Sequence, residues 1–304
     1  MSVENDKEFW VMSNNYSIKE SDMEYPDCPV CDGSSRKIKI SGKPFSLVEC
    51  NLCGLNYIYP RIKEEIGIKL YEKLYLKKSV ADIKRRFTDC NRFMWNLGKL
   101  IPYVKTNKRN SLLIYDLGCG GGGFVHLSKY IFGEALGFDL ESSTESLADT
   151  KYSYLDIKNI NDLKKYPKAD MVSCLHVFEH LYNPRKFLKT VLKPCLKKGG
   201  VALIEVPNWG SRQARKQKGS WGWYQPTEHI IQFTSGPLKK LLELEGFQIL
   251  NVYEDFPISL GIIDEMSIKT AAILLVSKRL EMLGLRSMKS NKKGAMLGLI
   301  VRKL

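Results

Sequence analysis

The 304-residue sequence lacks any apolar stretch long enough to cross a bilayer, and lacks a basic start leading into an apolar run. A membrane-spanning chain and a conventionally secreted one are therefore set aside, and a cytoplasmic location is the expectation. In that compartment the eight cysteines point to metal ligation or free thiols rather than disulfides. Acid is scarce at one end: residues 267–304 hold nine Lys or Arg and a single acid, Glu281. The formal charge of +14 favours an anionic partner, whether nucleic acid, a phosphorylated substrate or an acidic membrane face. The length allows one large domain or two unequal ones with ample core.

Histidine is missing around Cys28, Cys31, Cys50 and Cys53, which form a C-x2-C-x18-C-x2-C pattern. Gly33 and Gly54 follow the two pairs. Such short turns let two thiolates reach one ion while backbone N–H groups offset their charge. Four sulfurs make a closed tetrahedral site, so the expected ion is a structural zinc. Arg36–Ile40 and Pro44–Glu49 read as a hairpin and Leu55–Tyr59 as a further strand, making residues 1–60 a zinc ribbon. Basic residues are not concentrated near the cysteines, which favours a folding or substrate-lid role over nucleic-acid binding. Residues 61–110 carry Ile66, Leu70, Leu74, Phe93, Leu97 and Leu100 at helical spacing, and are expected to be a helical connector or lid.

The run Leu112–Phe124, LLIYDLGCGGGGF, is a β-prone apolar stretch that breaks into glycines and resumes a helical pattern. Glycine allows a tight turn and close approach of the backbone to a ligand, and the next helix N-terminus offers free N–H groups. Gly118, Gly120 and Gly123 satisfy the dinucleotide pattern G-x-G-x-x-G. Asp116 with Gly118, Gly120 and Gly122 satisfies D-x-G-x-G-x-G, so two cofactor classes remain open. Further strands are expected at Glu134–Asp139, Tyr152–Ile157, Ala169–Leu175, Val201–Val206, Phe247–Tyr253 and Ala295–Val301. A helix is expected at Pro237–Leu244 and a helical insertion over residues 256–293, before the last strand. The fold class is α/β, a seven-stranded doubly wound sheet spanning residues 111–304.

Taken together, DLGCGGGG at 116–123, Asp139, HVFEHL at 176–181, LKPCLKKGGVALIEVPN at 192–208 and the late helix resemble class I S-adenosylmethionine-dependent methyltransferases in order and spacing. The resemblance implies a Rossmann-like sheet with S-adenosyl-L-methionine as cofactor. Its implied contacts are Asp116, Gly118, Gly120 and Gly122 at the turn, Asp139 at the ribose and Asp156 at the adenine amino group. His176 would border the adenosine or methionine portion. Asp156 has an alternative as a helix cap. His176, Glu179 and His180 also match the H-x-x-E-H metalloprotease pattern, but their place directly after a strand in a βαβ series argues against that reading.

Arg212, Arg215, Lys216 and Lys218 form a basic run, followed by the flat faces of Trp221, Trp223 and Tyr224. Glu228-His229 and Phe233-Thr234 resemble the E-H-x-x-x-F-S/T passage of bacterial methyltransferases with an N-terminal zinc ribbon. Sugar C-methyltransferases and polysaccharide-cluster enzymes share this build. By that resemblance His229 is the candidate base, with Glu228 beside it and Tyr224 nearby; imidazole titrates near neutrality and suits the task. The expected reaction is methyl transfer to oxygen or carbon of a small polar acceptor, most simply a phosphorylated, nucleotide-linked sugar or a polysaccharide sugar. The alternative is an RNA methyltransferase with a ribbon recognition module. Nucleic acid is the second choice, since no N-P-P-Y passage follows the fourth strand and no His accompanies the four Cys. Thr270–Val276 with Lys278, Arg279 and Arg286 suits a lid or dimer surface, or peripheral membrane contact through residues 256–304.

Overall fold

The computed structural model describes residues 8–11, 16–75, 90–104, 112–120, 122–140, 157–255 and 294–304. Its main sheet has seven strands. These are β1 (Leu113–Leu117), β2 (Glu134–Asp139), β3 (Ile157–Asn159), β4 (Ala169–Leu175), β5 (Leu196–Pro207), β6 (Phe247–Asp255) and β7 (Met296–Lys303). The order across the sheet is β3-β2-β1-β4-β5-β7-β6. The first five strands pair in parallel, while β7 runs antiparallel to both β5 and β6. The expected α/β architecture is thus present.

Strand composition follows from burial on both faces, where near-continuous apolar runs replace alternation. Ile114, Ala135, Met171, Leu203 and Ile300 pack on one face with Leu97 and Leu100 of the helix Cys90–Leu100 and with Phe124, Val125 and Phe132 of the helix Gly123–Phe132. Phe93 and Phe124 meet edge-on, with ring centroids 5.9 Å apart. Tyr115, Leu117, Val172, Ile204 and Leu299 face the other way, onto Leu188 and Leu192 and onto Leu238, Leu241 and Leu242 of the helix Ser235–Leu244.

The third strand, where described, runs past its expected end at Ile157 to Asn159. Ladder pairing of Ile157 with Gly137 and of Asn159 with Asp139 places it at the end of the stretch read from sequence. Tyr152 to Asp156 lie outside the described residues, as do residues 256–293 of the expected insertion. At the described end of the basic C-terminal stretch, β7 is an interior strand of the sheet. Arg302 donates to the Tyr103 carbonyl, and Lys303 to the Lys193 and Leu196 carbonyls. No helix among the described residues is long and apolar enough to cross a membrane.

The N-terminal strands Arg36–Ile40, Ser46–Cys50 and Asn56–Tyr59 form an antiparallel sheet. A fourth strand, Ile231–Gln232, comes from far along the chain and pairs with Asn56 and Tyr57. Val30, Val48, Leu55 and Tyr57 accordingly share one apolar cluster with Ile230, Ile231, Phe233 and Leu238. Arg185 adds a polar tie, reaching Asp32 at 3.1 Å and the buried Glu245 at 2.9 Å.

Gly298 of β7 lies under the Tyr253 ring, whose hydroxyl donates to the buried Glu205 at 3.2 Å. A Cβ at 298 would stand 2.0 Å from that ring. Gly298→Ala should therefore cost about 1–3 kcal/mol through overpacking, read as a lower midpoint in chemical denaturation.

Candidate active site

The glycine turn sits at the carboxyl end of β1. Gly118, Gly120 and Gly122 all have positive φ, at 74°, 49° and 74°. At Gly118 a Cβ would also lie 2.5 Å from Val177, whereas Gly120 faces open space. The turn is pinned to β2: the Gly118 and Cys119 N–H groups donate to the Phe138 carbonyl at 2.7 and 3.2 Å. The Gly120 N–H donates to Asp139 Oδ2 at 2.6 Å. Asp139 Oδ1 accepts from the Leu140 N–H at 2.8 Å. Asp116 is buried one strand away and accepts from the Ser173 hydroxyl at 2.7 Å, which ties β1 to β4. Gly118 and Asp139 border a cavity of about 310 Å3; Asp116 does not, and Asp156 lies outside the described residues.

The opposite wall of that cavity comes from three places. Ile18, Ile68 and Tyr71 enter from the N-terminal side, Tyr182 and Phe187 from the segment after β4, and Thr227 with Glu228 from the loop after β5. His176, Val177 and His180 complete the floor. Among the described lining residues none is Lys or Arg, while Glu64, Asp139 and Glu228 are acids. The basic run lies on the helix Arg212–Gln217 and its end, with Arg212, Arg215, Lys216 and Lys218 exposed to solvent.

Three histidines gather here, His176 and His180 at the cavity floor and His229 buried next to His180. His176 has φ 57°, and its Nδ1 lies 3.1 Å from Glu179 Oε1, its Nε2 3.7 Å from Glu205 Oε1. Phe178–His180 is a single 3-10 turn, so the three residues of the H-x-x-E-H pattern do not share one face of an α-helix. Trp223 lies between His176 and His229, stacked on each at 5.2 and 6.0 Å between centroids. His180 and His229 meet edge-on at 4.8 Å. Carbonyl partners fix both tautomers: His180 Nδ1–H donates to the Glu228 carbonyl at 3.0 Å, and His229 Nδ1–H to the Trp223 carbonyl at 2.7 Å. A backbone oxygen only accepts, so each Nε2 keeps its lone pair. Burial lowers the pKa of both rings, His180 to about 4, against partial support from Glu179.

Of the residues expected here, His176 and Glu228 line the cavity; His229 is buried next to His180 and is not among the lining residues, and neither is Tyr224. Its ring packs toward Trp209 and the N-terminal apolar cluster, away from the cavity lining, and burial raises its pKa. Trp221 is fully buried beside Trp209 and so offers no open face to a ligand. Sequence reasoning missed His180 as the neighbour of His229. The available signal was the second His of the HVFEH passage, at the right distance from a strand end to reach the cleft.

The four N-terminal cysteines converge, their sulfurs all within 4.8 Å of one another, with Cys28 and Cys53 at 3.4 Å and Cys31 and Cys50 at 3.5 Å. The Val30 and Cys31 N–H groups point at Cys28, Gly33 at Cys31 and Leu55 at Cys53. The hydrogen bond with Cys28 pulls Cys53 down to about 5, and the same bond pushes Cys28 up. The donor set and its crowding fit a tetrahedral ion with sulfur ligands.

A family model described as a methyltransferase domain matches residues 91–252, more than half of the chain. The chain belongs to this methyltransferase-domain family. A ubiquinone biosynthesis O-methyltransferase from Rickettsia canadensis is 32% identical over 109 residues, covering 34% of this chain and 45% of that protein. Its counterpart from Rickettsia bellii is 29% identical over 123 residues, covering 37% and 50%. The chain spans about half the length of these curated relatives. Among solved structures, a SAM dependent methyltransferase from Archaeoglobus fulgidus is similar with a TM-score of 0.46 at 22% identity, covering 78% of this chain and 99% of that one.

Within this methyltransferase domain, the low pKa of His180 carries a stability consequence. The folded state keeps the ring neutral, so its contribution is complete above the ordinary value of 6.5 and is lost as pH falls from 6.5 toward about 4. The loss should reach about 3 kcal/mol. Urea titrations across that range should show a shallower fall in His180→Gln than in the parent.

Proposed function

We propose that this chain is an S-adenosylmethionine-dependent methyltransferase acting on oxygen or carbon of a small ring-bearing acceptor. One observation carries the reading: the glycine turn and Asp139 share a single cavity with His180 and Glu228. The bound cofactor would supply an electrophilic methyl group on a sulfonium. Gly118 and Gly120 clear the approach of the backbone, and Asp139 offers its carboxylate to ribose hydroxyls. Asp116 would stiffen the turn from below through Ser173, Asp156 would meet the adenine, and His176 would border the cofactor from the floor.

The acceptor is a weak nucleophile until its proton leaves. His229 is proposed as the group that takes it. With Nδ1–H committed to the Trp223 carbonyl, Nε2 is the basic nitrogen. His180 forms the cavity wall in front of it, and at a pKa of about 4 it stores a proton poorly. Glu228 adds a polar rim, with Tyr224 supporting the loop rather than touching the acceptor. The resemblance to ribbon-bearing sugar methyltransferases makes a nucleotide-linked or polysaccharide sugar the preferred acceptor. Its phosphates would meet the exposed Arg212, Arg215, Lys216 and Lys218 outside the cavity. A second reading, a neutral phenolic acceptor, is favoured by the apolar lining and by relatives named for ubiquinone biosynthesis. RNA would have to use the same exterior cations. The four cysteines are proposed to hold one structural zinc.

Calorimetry should show binding of S-adenosylmethionine or its demethylated product and none of NADH; the reverse pattern would sink the assignment. His229→Ala should abolish turnover with cofactor affinity kept. A cofactor-release assay over nucleotide sugars, simple phenols and total RNA separates the acceptor readings. Metal analysis should find about one zinc per chain, absent from a Cys28→Ser, Cys31→Ser double variant.

A further inference from the structure

Gln232 has no part in the chemistry just described, yet it is 1% exposed and its amide is aimed at two carbonyls. Its Nε2 donates to the His229 carbonyl at 3.2 Å and reaches the Trp223 carbonyl at 3.5 Å. The second of these is the oxygen that accepts His229 Nδ1–H. Gln232 is itself held from the ribbon side: it stands opposite Asn56 in the antiparallel pair, and the Ile58 N–H donates to the Ile230 carbonyl at 2.9 Å. The next strand of that sheet ends at Cys50 of the cysteine cluster. A glutamine buried merely as filler would leave its amide unmatched at a cost of about 1–3 kcal/mol; here both donors have a use.

We infer that Gln232 is the positioning residue for His229. It fixes the Trp223 carbonyl, and thereby the tautomer and plane of the imidazole, and it transmits the rigidity of the cysteine-bound sheet to the active site. The inference rests on the proposed role of His229 as base. Groups facing that ring are Glu179, His176 and His180, none of which Gln232 touches in the hydrogen bonds above.

Gln232→Met keeps the volume and removes the amide. It should lower kcat about tenfold or more while the dissociation constant for S-adenosylmethionine stays within about twofold. The acid limb of the kcat profile should move to lower pH, because the Trp223 carbonyl that supports the charged ring through Nδ1–H is no longer held in place. An unchanged kcat and acid limb, alongside an inactive His229→Ala, overturns the positioning role. An active His229→Ala instead removes the base reading beneath it. Long-range proton–nitrogen spectra of the parent protein need no variant: one Nδ1–H tautomer of His229 from about pH 6 to 8 supports the inference, and a tautomer mixture overturns it.

Discussion

A parallel strand cannot turn straight back on itself; it must return by a crossover, and that constraint assembles this active site. Because β1, β2, β4 and β5 run the same way, their carboxyl ends lie along one edge of the sheet. The glycine turn, Asp139, the HVFEH passage and the loop bearing Glu228 and His229 all leave from that edge. Burial there is costly for acids unless each finds a donor. Asp116 takes the Ser173 hydroxyl, Asp139 the Gly120 N–H and Glu205 the Tyr253 hydroxyl. Glu179 takes His176. The first three link one strand or its turn to another, so they also fix the strand ends that carry them, while the His176–Glu179 pair is local.

The cavity and the exposed helix Arg212–Gln217 differ in charge. Inside, the described walls are apolar and acidic, and burial holds His180 and, next to it, His229 in the neutral form. Outside, four cations line a short exposed helix. Desolvation holds the His229 ring neutral with its Nε2 lone pair free, while the charges on the exposed helix are screened by salt.

Much of this was legible in the sequence because it is local. Asp116, Gly118, Gly120 and Gly122 announce a turn by composition alone, the strands Glu134–Asp139 and Ala169–Leu175 announce themselves by apolar continuity, and the four cysteines by spacing. What the sequence hid is what depends on distant partners. Trp221 looks like a ligand platform until its burial against Trp209 is known. Tyr224, four residues from Glu228, turns away from the cavity because the N-terminal cluster captures its ring. The third strand ends where β2 supplies hydrogen bonds, a condition invisible in Tyr152–Ile157 itself. His180 lies 49 positions from His229, and no periodicity links them.

The sheet that joins Asn56–Tyr59 to Ile231–Gln232 has a history as well as a geometry. The ribbon strand leaves the ribosome early, and its partner is made some 170 residues later. At ordinary rates of synthesis that delay is about 10–35 s. For that time an apolar strand carrying Tyr57 and Ile58 has an open edge, the kind that recruits other chains. Early capture of an ion by the nearby cysteines would hold the ribbon strands in register while the edge waits. With an ion bound, the cysteine cluster would guard the order of assembly before there is any active site for it to support.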